Sequence, residues 1–203
     1  MAALPVELIG YAAAVVSCVQ FIPQVVRTAR TRDLDGISPL MWGVLLAQSA
    51  AWIGFGLRAG LLPSVATNVM LAAAAVTMLW LLRAGRAPGT EAAIALAGGA
   101  FAVQLAVALL LPDPVLGVIA AGLSTVAFLP QALAALRQSD LSGLSRPMWT
   151  LSIAGGVLWA SYGLGRGEAV IVASAMVGTM LSAVVLARVA AFERSLPLAL
   201  AER

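Results

Sequence analysis

Residues 17–42 read SCVQFIPQVVRTARTRDLDGISPLMW, and residues 124–149 read STVAFLPQALAALRQSDLSGLSRPMW. A fixed separation of 107 positions, without a gap, pairs Phe21 with Phe128, Pro23 with Pro130 and Gln24 with Gln131. It also pairs Arg30 with Arg137, Asp33 with Asp140, Gly36 with Gly143, Ser38 with Ser145 and Trp42 with Trp149. Further along it pairs Trp52 with Trp159, Gly56 with Gly163 and Gly60 with Gly167. Shared Ala and Leu carry little weight in so apolar a chain. Shared Pro, Gln, Asp and Trp at one offset mean an internal duplication, a unit of roughly 85 residues built twice.

The composition sets the solvent. The chain is 62% apolar and 10% charged, with a mean hydropathy of +1.00. Soluble domains hold about 45–50% apolar and about 25% charged residues, so this is a membrane protein. The sequence pI near 10.0 does not point to nucleic acid. The base is all Arg, spread through short loops rather than gathered on one face. Lys and His are absent, and the single Cys18 reads as a small buried hydrophobe. The first residues, MAALPVE, lack the basic start of a signal peptide.

A membrane helix needs about 20 mostly apolar residues. Seven stretches qualify: 5–26, 39–57, 61–82, 91–111, 115–136, 147–164 and 169–187. The expected fold is therefore all-α and integral to the membrane, with seven transmembrane helices in a 3+1+3 order. Residues 1–84 form the first three-helix repeat, and 85–112 a loop and linker helix without a counterpart. Residues 113–191 form the second repeat and 192–203 a short tail. The linker has a topological reason. Three crossings leave the chain on the far side of the bilayer, and one more makes the second bundle parallel to the first. With the N-terminus outside, ten Arg residues fall on the inner side and only Arg58 and Arg166 on the outer. That bias places the C-terminus in the cytoplasm.

Candidate functional residues follow from depth. Pro23 lies near the inner end of the first helix, where proline removes a backbone hydrogen bond at a cost of roughly 3 kcal/mol unless neighbours compensate. Gln24 is placed to serve the freed carbonyls, and Pro130-Gln131 repeats the pair. Two matched weak points near one face read as a hinge and inner gate, with Pro39 and Pro147 as looser members that also suit a helix first turn. Trp42, Trp80 and Trp149 lie within a turn of an inner loop and read as interfacial belt residues. Trp52 lies eight residues before Gly60 and Asn68 eight after, so antiparallel helices bring them to one depth, roughly 10 Å in. An indole face beside an amide suits a polyhydroxylated ring. In the second repeat Trp159 recurs, but the residue matching Asn68 is Ala175, with Ser174 adjacent on the helix. The pocket is therefore expected to be asymmetric. Phe55, Arg58, Tyr162, Arg166 and Glu168 sit at the outer end, where an ion pair and aromatic contact would close the mouth.

These residues resemble those of the PQ-loop superfamily, and within it the SWEET sugar transporters and half-size SemiSWEETs. The resemblance spans nearly the whole chain. It rests on FIPQ at 21–24 and FLPQ at 128–131, on DLDGIS and DLSGLS after them, and on WIGFG at 52–56 with WASYG at 159–163. It implies uncoupled, alternating-access transport of a mono- or disaccharide across the plasma membrane. It maps the sugar to Trp52, Asn68 and Trp159, with Ala175 departing from the pattern, and the inner-gate prolines to Pro23, Pro130, Pro39 and Pro147.

The same residues bear on other functions. Proton-coupled export of an amino acid, as in cystinosin-like PQ-loop proteins, needs a titratable group within the membrane. There is no His, and all nine acids fall at helix ends or in loops. A receptor for peptide ends, of the KDEL-receptor kind, needs a charged pocket that the sequence does not provide. An enzyme, a metal site or a bound cofactor finds no ligand cluster, nucleophile–base pair or phosphate loop. The expected partners are a sugar and the bilayer, not nucleic acid. One chain is enough for a complete path, with a homo-oligomer left open.

Overall fold

The computed structural model describes residues 3–58, 60–110 and 112–201. The first apolar stretch becomes two helices, α1 (Ala3–Val19) and α2 (Ile22–Thr31), broken just ahead of Pro23. Pro23 has no N–H to offer the preceding turn, and Gln20 and Phe21 form the joint. Then come α3 (Pro39–Arg58), α4 (Leu62–Ala84) and α5 (Thr90–Leu110). The second repeat opens with α6 (Asp113–Ala127) and α7 (Leu129–Arg137), broken again at the Pro-Gln pair, followed by α8 (Arg146–Arg166) and α9 (Ala169–Ala201). Among the described residues, five spans pass as membrane helices on length and hydropathy alone: 6–31, 39–58, 62–84, 115–137 and 169–195. Helices α5 and α8, each 21 residues, complete the seven crossings.

Within each bundle the third helix lies between the other two. Helix α4 packs against both α1 and α3, and α9 against both α6 and α8. The bundles meet along two matched seams, α1 with α8 and α3 with α6, while the linker α5 packs on α3. The architecture is the 3+1+3 pair of parallel bundles that the duplication requires. Helix α9 runs on to Ala201, so the segment expected to be a tail continues the last helix. There Phe192 packs on the core and Arg146 Nη1 donates to Glu193 Oε2 at 3.2 Å.

Trp42 and Trp149 are not belt residues. Both are fully buried, each edge-on to a phenylalanine: Phe21–Trp42 at 5.7 Å and Phe128–Trp149 at 5.9 Å. They belong to one apolar cluster that joins the two bundles at the Arg-rich end. Depth alone suggested the interface, but their helix faces point inward. Trp80, 62% exposed, does occupy a lipid-facing position.

Candidate functional site

A cavity of about 150 Å³ lies on the axis between the bundles. Helices α1, α3, α4, α6, α8 and α9 line it, from Ser17 to Thr179. It brings Trp52, Asn68, Trp159, Ser174 and Ala175 together. Ser174 lines the wall beside Ala175, although its side chain is turned about 100° from it around the helix. Each indole crosses the seam: Trp52 Nε1 donates to Ser124 Oγ at 2.6 Å, and Trp159 Nε1 to Ser17 Oγ at 2.8 Å. Ser17 and Ser124 are themselves a repeat pair. Asn68 is buried and donates from Nδ2 to the Ser64 carbonyl at 2.8 Å, which leaves its carbonyl oxygen and second N–H for the cavity. Among the described residues, no Asp, Glu, Lys or Arg lines the wall.

Two further amides, Gln20 and Gln48, were missed in the sequence. Both line the cavity. The Oε1 of Gln48 is buried and, among the described residues, has no hydrogen-bond partner. An unmet buried acceptor costs about 1–3 kcal/mol, and a ligand hydroxyl would satisfy it. All three amides belong to the first repeat. Their counterparts, Ala127, Gly155 and Ala175, are small. The cavity therefore carries its amides on the first-repeat side, while the second repeat lines it with the hydroxyl residues Ser124, Ser152, Ser174 and Thr179.

At the Arg-rich end a reciprocal clamp closes the axis. Gln24 does not serve its own helix's freed carbonyls. Its Nε2 donates to the Gly143 carbonyl at 2.8 Å, and the Ser145 N–H donates to its Oε1 at 2.7 Å. Gln131 does the same to the first repeat, donating to the Gly36 carbonyl at 2.5 Å and accepting from the Ser38 N–H at 2.7 Å. Each PQ glutamine thus grips the loop of the opposite repeat. The loops touch backbone to backbone, with Gly143 N–H donating to the Asp35 carbonyl at 3.0 Å. A Cβ at Gly143 would sit 2.5 Å from that same oxygen, so only glycine permits the contact. Arg27 adds a bond to the Ser142 carbonyl. Pro23 and Pro130 lie in the first turns of α2 and α7, just past the helix breaks. Pro39 and Pro147 are first-turn residues of α3 and α8 and take no part in it.

The chain is similar to known proteins. A PQ loop repeat model matches residues 5–65. The sugar transporter SemiSWEET of Bradyrhizobium diazoefficiens is 38% identical over 65 residues, which is 32% of this chain and 76% of that protein. This chain belongs to the SWEET/SemiSWEET family of PQ-loop proteins. The SemiSWEET of Leptospira biflexa is 34% identical over 64 residues, 32% of this chain and 75% of that one. Since 65 residues make up most of a SemiSWEET, the SWEET-type chain described here carries two such units in tandem. A eukaryotic SWEET transporter, solved at 3.7 Å, superposes with a TM-score of 0.63 at 17% identity. The match covers 95% of this chain and 97% of that one, and it supports the same fold.

At the opposite end of this SWEET-type pair the cavity lining reaches Leu61 and Pro63, flanked by aromatics and an ion pair. Phe55 packs edge-on to Trp52 at 5.9 Å and Tyr162 to Trp159 at 5.7 Å. Their rings lie over Gly117 and Gly10 across the two seams. Arg166 Nη1 donates to Glu7 Oε1 at 2.8 Å and so ties α8 to α1. The expected partner, Glu168, instead gives its backbone N–H to Gly163 as a helix cap, and its side chain is exposed. Glu7 reaches Arg166 because the seam, not the local loop, sets the distance. Arg58 lies exposed at the end of α3.

Proposed function

We propose that this protein carries a small neutral sugar, a mono- or disaccharide, across the plasma membrane by facilitated diffusion. The observation that carries the reading is an uncharged cavity walled by two tryptophans and three amides, closed at the Arg-rich end by a clamp of hydrogen bonds. A sugar ring lays its apolar face on Trp52 or Trp159, and its hydroxyls meet Asn68, Gln48 and Gln20. On the other wall Ala175 stands where an amide would match Asn68, and Ser152, Ser174 and Thr179 line the cavity beside it. The matched relatives are named as sugar transporters, which agrees with this choice.

Transport follows from the two clamps. Residues 1–84 and 113–191 move as bundles about the Pro23 and Pro130 joints, coupled through 85–112. The inner clamp and the outer aromatic pairs part in turn. With no histidine in the chain and no acid on the wall among the described residues, no proton is taken up or given back, so movement is uncoupled. The Arg-rich end faces the cytoplasm and the N-terminus lies outside, in line with the positive-inside bias. One chain encloses the whole path, so a monomer suffices.

The test is equilibrium binding of glucose and sucrose to purified protein by calorimetry. Binding that weakens about tenfold or more in Asn68→Ala, corresponding to about 1.4 kcal/mol, supports the site. Binding of free amino acids but not of sugars would refute it.

A further inference from the structure

The four repeat-paired tryptophans form two tiers. In the central tier the indole N–H groups of Trp52 and Trp159 are already bonded, to Ser124 and Ser17. In the lower tier the opposite holds. Trp42 and Trp149 are fully buried, yet among the described residues neither Nε1 has an acceptor. Buried indole N–H groups ordinarily find a partner. A lapse at one position would be unremarkable. The same lapse at both members of a repeat pair calls for a common reason. Phenylalanine would fill a buried apolar site without leaving a donor unmet.

Their place gives the reason. Phe21 and Phe128 line the cavity on one side and meet Trp42 and Trp149 on the other. Trp42 lies ten residues before Trp52 on α3, about 15 Å nearer the Arg-rich end. Both lower tryptophans belong to the apolar cluster that includes Leu141 and Leu144 of one loop, Ile37 of the other and Ala132 and Ala135 of α7. That cluster spans the bundles at the level of the glutamine clamps. Ile37, Leu141 and Leu144 of that cluster stand on the loops the clamps hold, so release of the clamps would uncover the two indoles.

We propose that Trp42 and Trp149 form a second sugar subsite, below the central cavity, used only while the Arg-rich end is open. There the two indole N–H groups donate to hydroxyls of a sugar passing between the cavity and that face. The ligand class rests on the sugar reading above. The central tier offers ring faces with its N–H groups committed, whereas the lower tier offers N–H groups held in reserve. The closed state keeps these donors unsatisfied, and the open state with its sugar satisfies them.

The full-length chain tests this with indole ¹⁵N–H spectra. Its five tryptophans give five signals, assigned by single Trp→Phe changes. The spectra are recorded in nanodiscs on the Gln24→Ala/Gln131→Ala protein, whose clamps are removed, with added glucose or sucrose. The Trp42 and Trp149 signals are expected to move together with those of Trp52 and Trp159, while lipid-facing Trp80 stays still. Movement of Trp52 and Trp159 without Trp42 and Trp149 would overturn the subsite and leave the sugar reading intact. Movement of none would overturn both. A Trp42→Phe/Trp149→Phe protein should also keep or raise its thermal stability, since no made hydrogen bond is lost, yet carry sugar about fivefold or more slowly. Transport at the wild-type rate would contradict the subsite.

Discussion

Removing one PQ glutamine should open the Arg-rich end without unfolding the protein. Gln24 makes two bonds to the opposite loop, and its side chain is 1% exposed. Gln24→Ala leaves the Gly143 carbonyl and the Ser145 N–H without these partners. At about 1 kcal/mol net for each hydrogen bond, the closed state loses about 2 kcal/mol. The open state loses little, because water then reaches both groups. Two kcal/mol shifts the closed-to-open ratio about 30-fold. Gln131→Ala has the same two bonds to lose. The clamps share the Asp35–Gly143 contact, so the double change is expected to fall short of the additive shift of about 1,000-fold. The assay is thiol labelling at Ala132→Cys in a Cys18→Ala background. Ala132 is 2% exposed and lies in the cluster that the clamps hold shut. A membrane-impermeant maleimide added to the Arg-rich side reports the open fraction while the closed state dominates. Each single glutamine variant should raise the labelling rate about 10- to 30-fold. An unchanged rate in both would refute the clamp.

Other substitutions separate stability from function. Gln48→Met removes a buried acceptor that has no partner, so thermal stability should hold or rise while sugar affinity falls about tenfold. A melting temperature that falls with affinity unchanged would show that Gln48 serves packing. Ala175→Asn adds an amide to the second-repeat wall. It should weaken sucrose binding more than glucose binding, and equal effects on both, read by calorimetry, would contradict the assignment of that wall. Glu7→Gln breaks a pair whose partners are 37% and 43% exposed, worth about 0.2–1 kcal/mol. Uptake should therefore change less than about fivefold, with the difference vanishing at high salt. The pH profile should be flat within about twofold from about pH 5.5 to about pH 8. Asp140 accepts from the Ser142 N–H, and its carboxyl is thereby held below the usual carboxylate range. Its contribution to the loop is present above the ordinary aspartate value and is lost only as pH falls through the lowered one. A step near neutrality would point to a titrating group that the cavity lining does not contain.

The duplication made the fold legible and singled out the Pro-Gln pairs. A shared Pro-Gln at one offset marks positions that both bundles need, and both copies prove to be cross-bundle contacts. The same rule would have recovered Trp42 and Trp149. They recur at the offset, whereas lipid-facing Trp80 is matched by Ala187. Depth alone put all three at the interface, because distance from a loop does not say which way a helix faces. The binding wall obeys the opposite logic. Gln20, Gln48 and Asn68 have only Ala127, Gly155 and Ala175 across the repeat, so looking for matched pairs passed over two of them. A lone amide within an apolar run was the signal available. The grip of Gln24 on the other repeat's loop was not readable, since nothing in one sequence says that two loops 107 positions apart touch.

The most direct measurement is uptake of labelled glucose and sucrose by proteoliposomes, with and without a pH gradient, in the wild type and in Trp52→Ala. The account predicts uptake that runs to equal concentrations on both sides, ignores the gradient and falls sharply in the variant. Accumulation driven by the gradient, or unchanged uptake in Trp52→Ala, would contradict it.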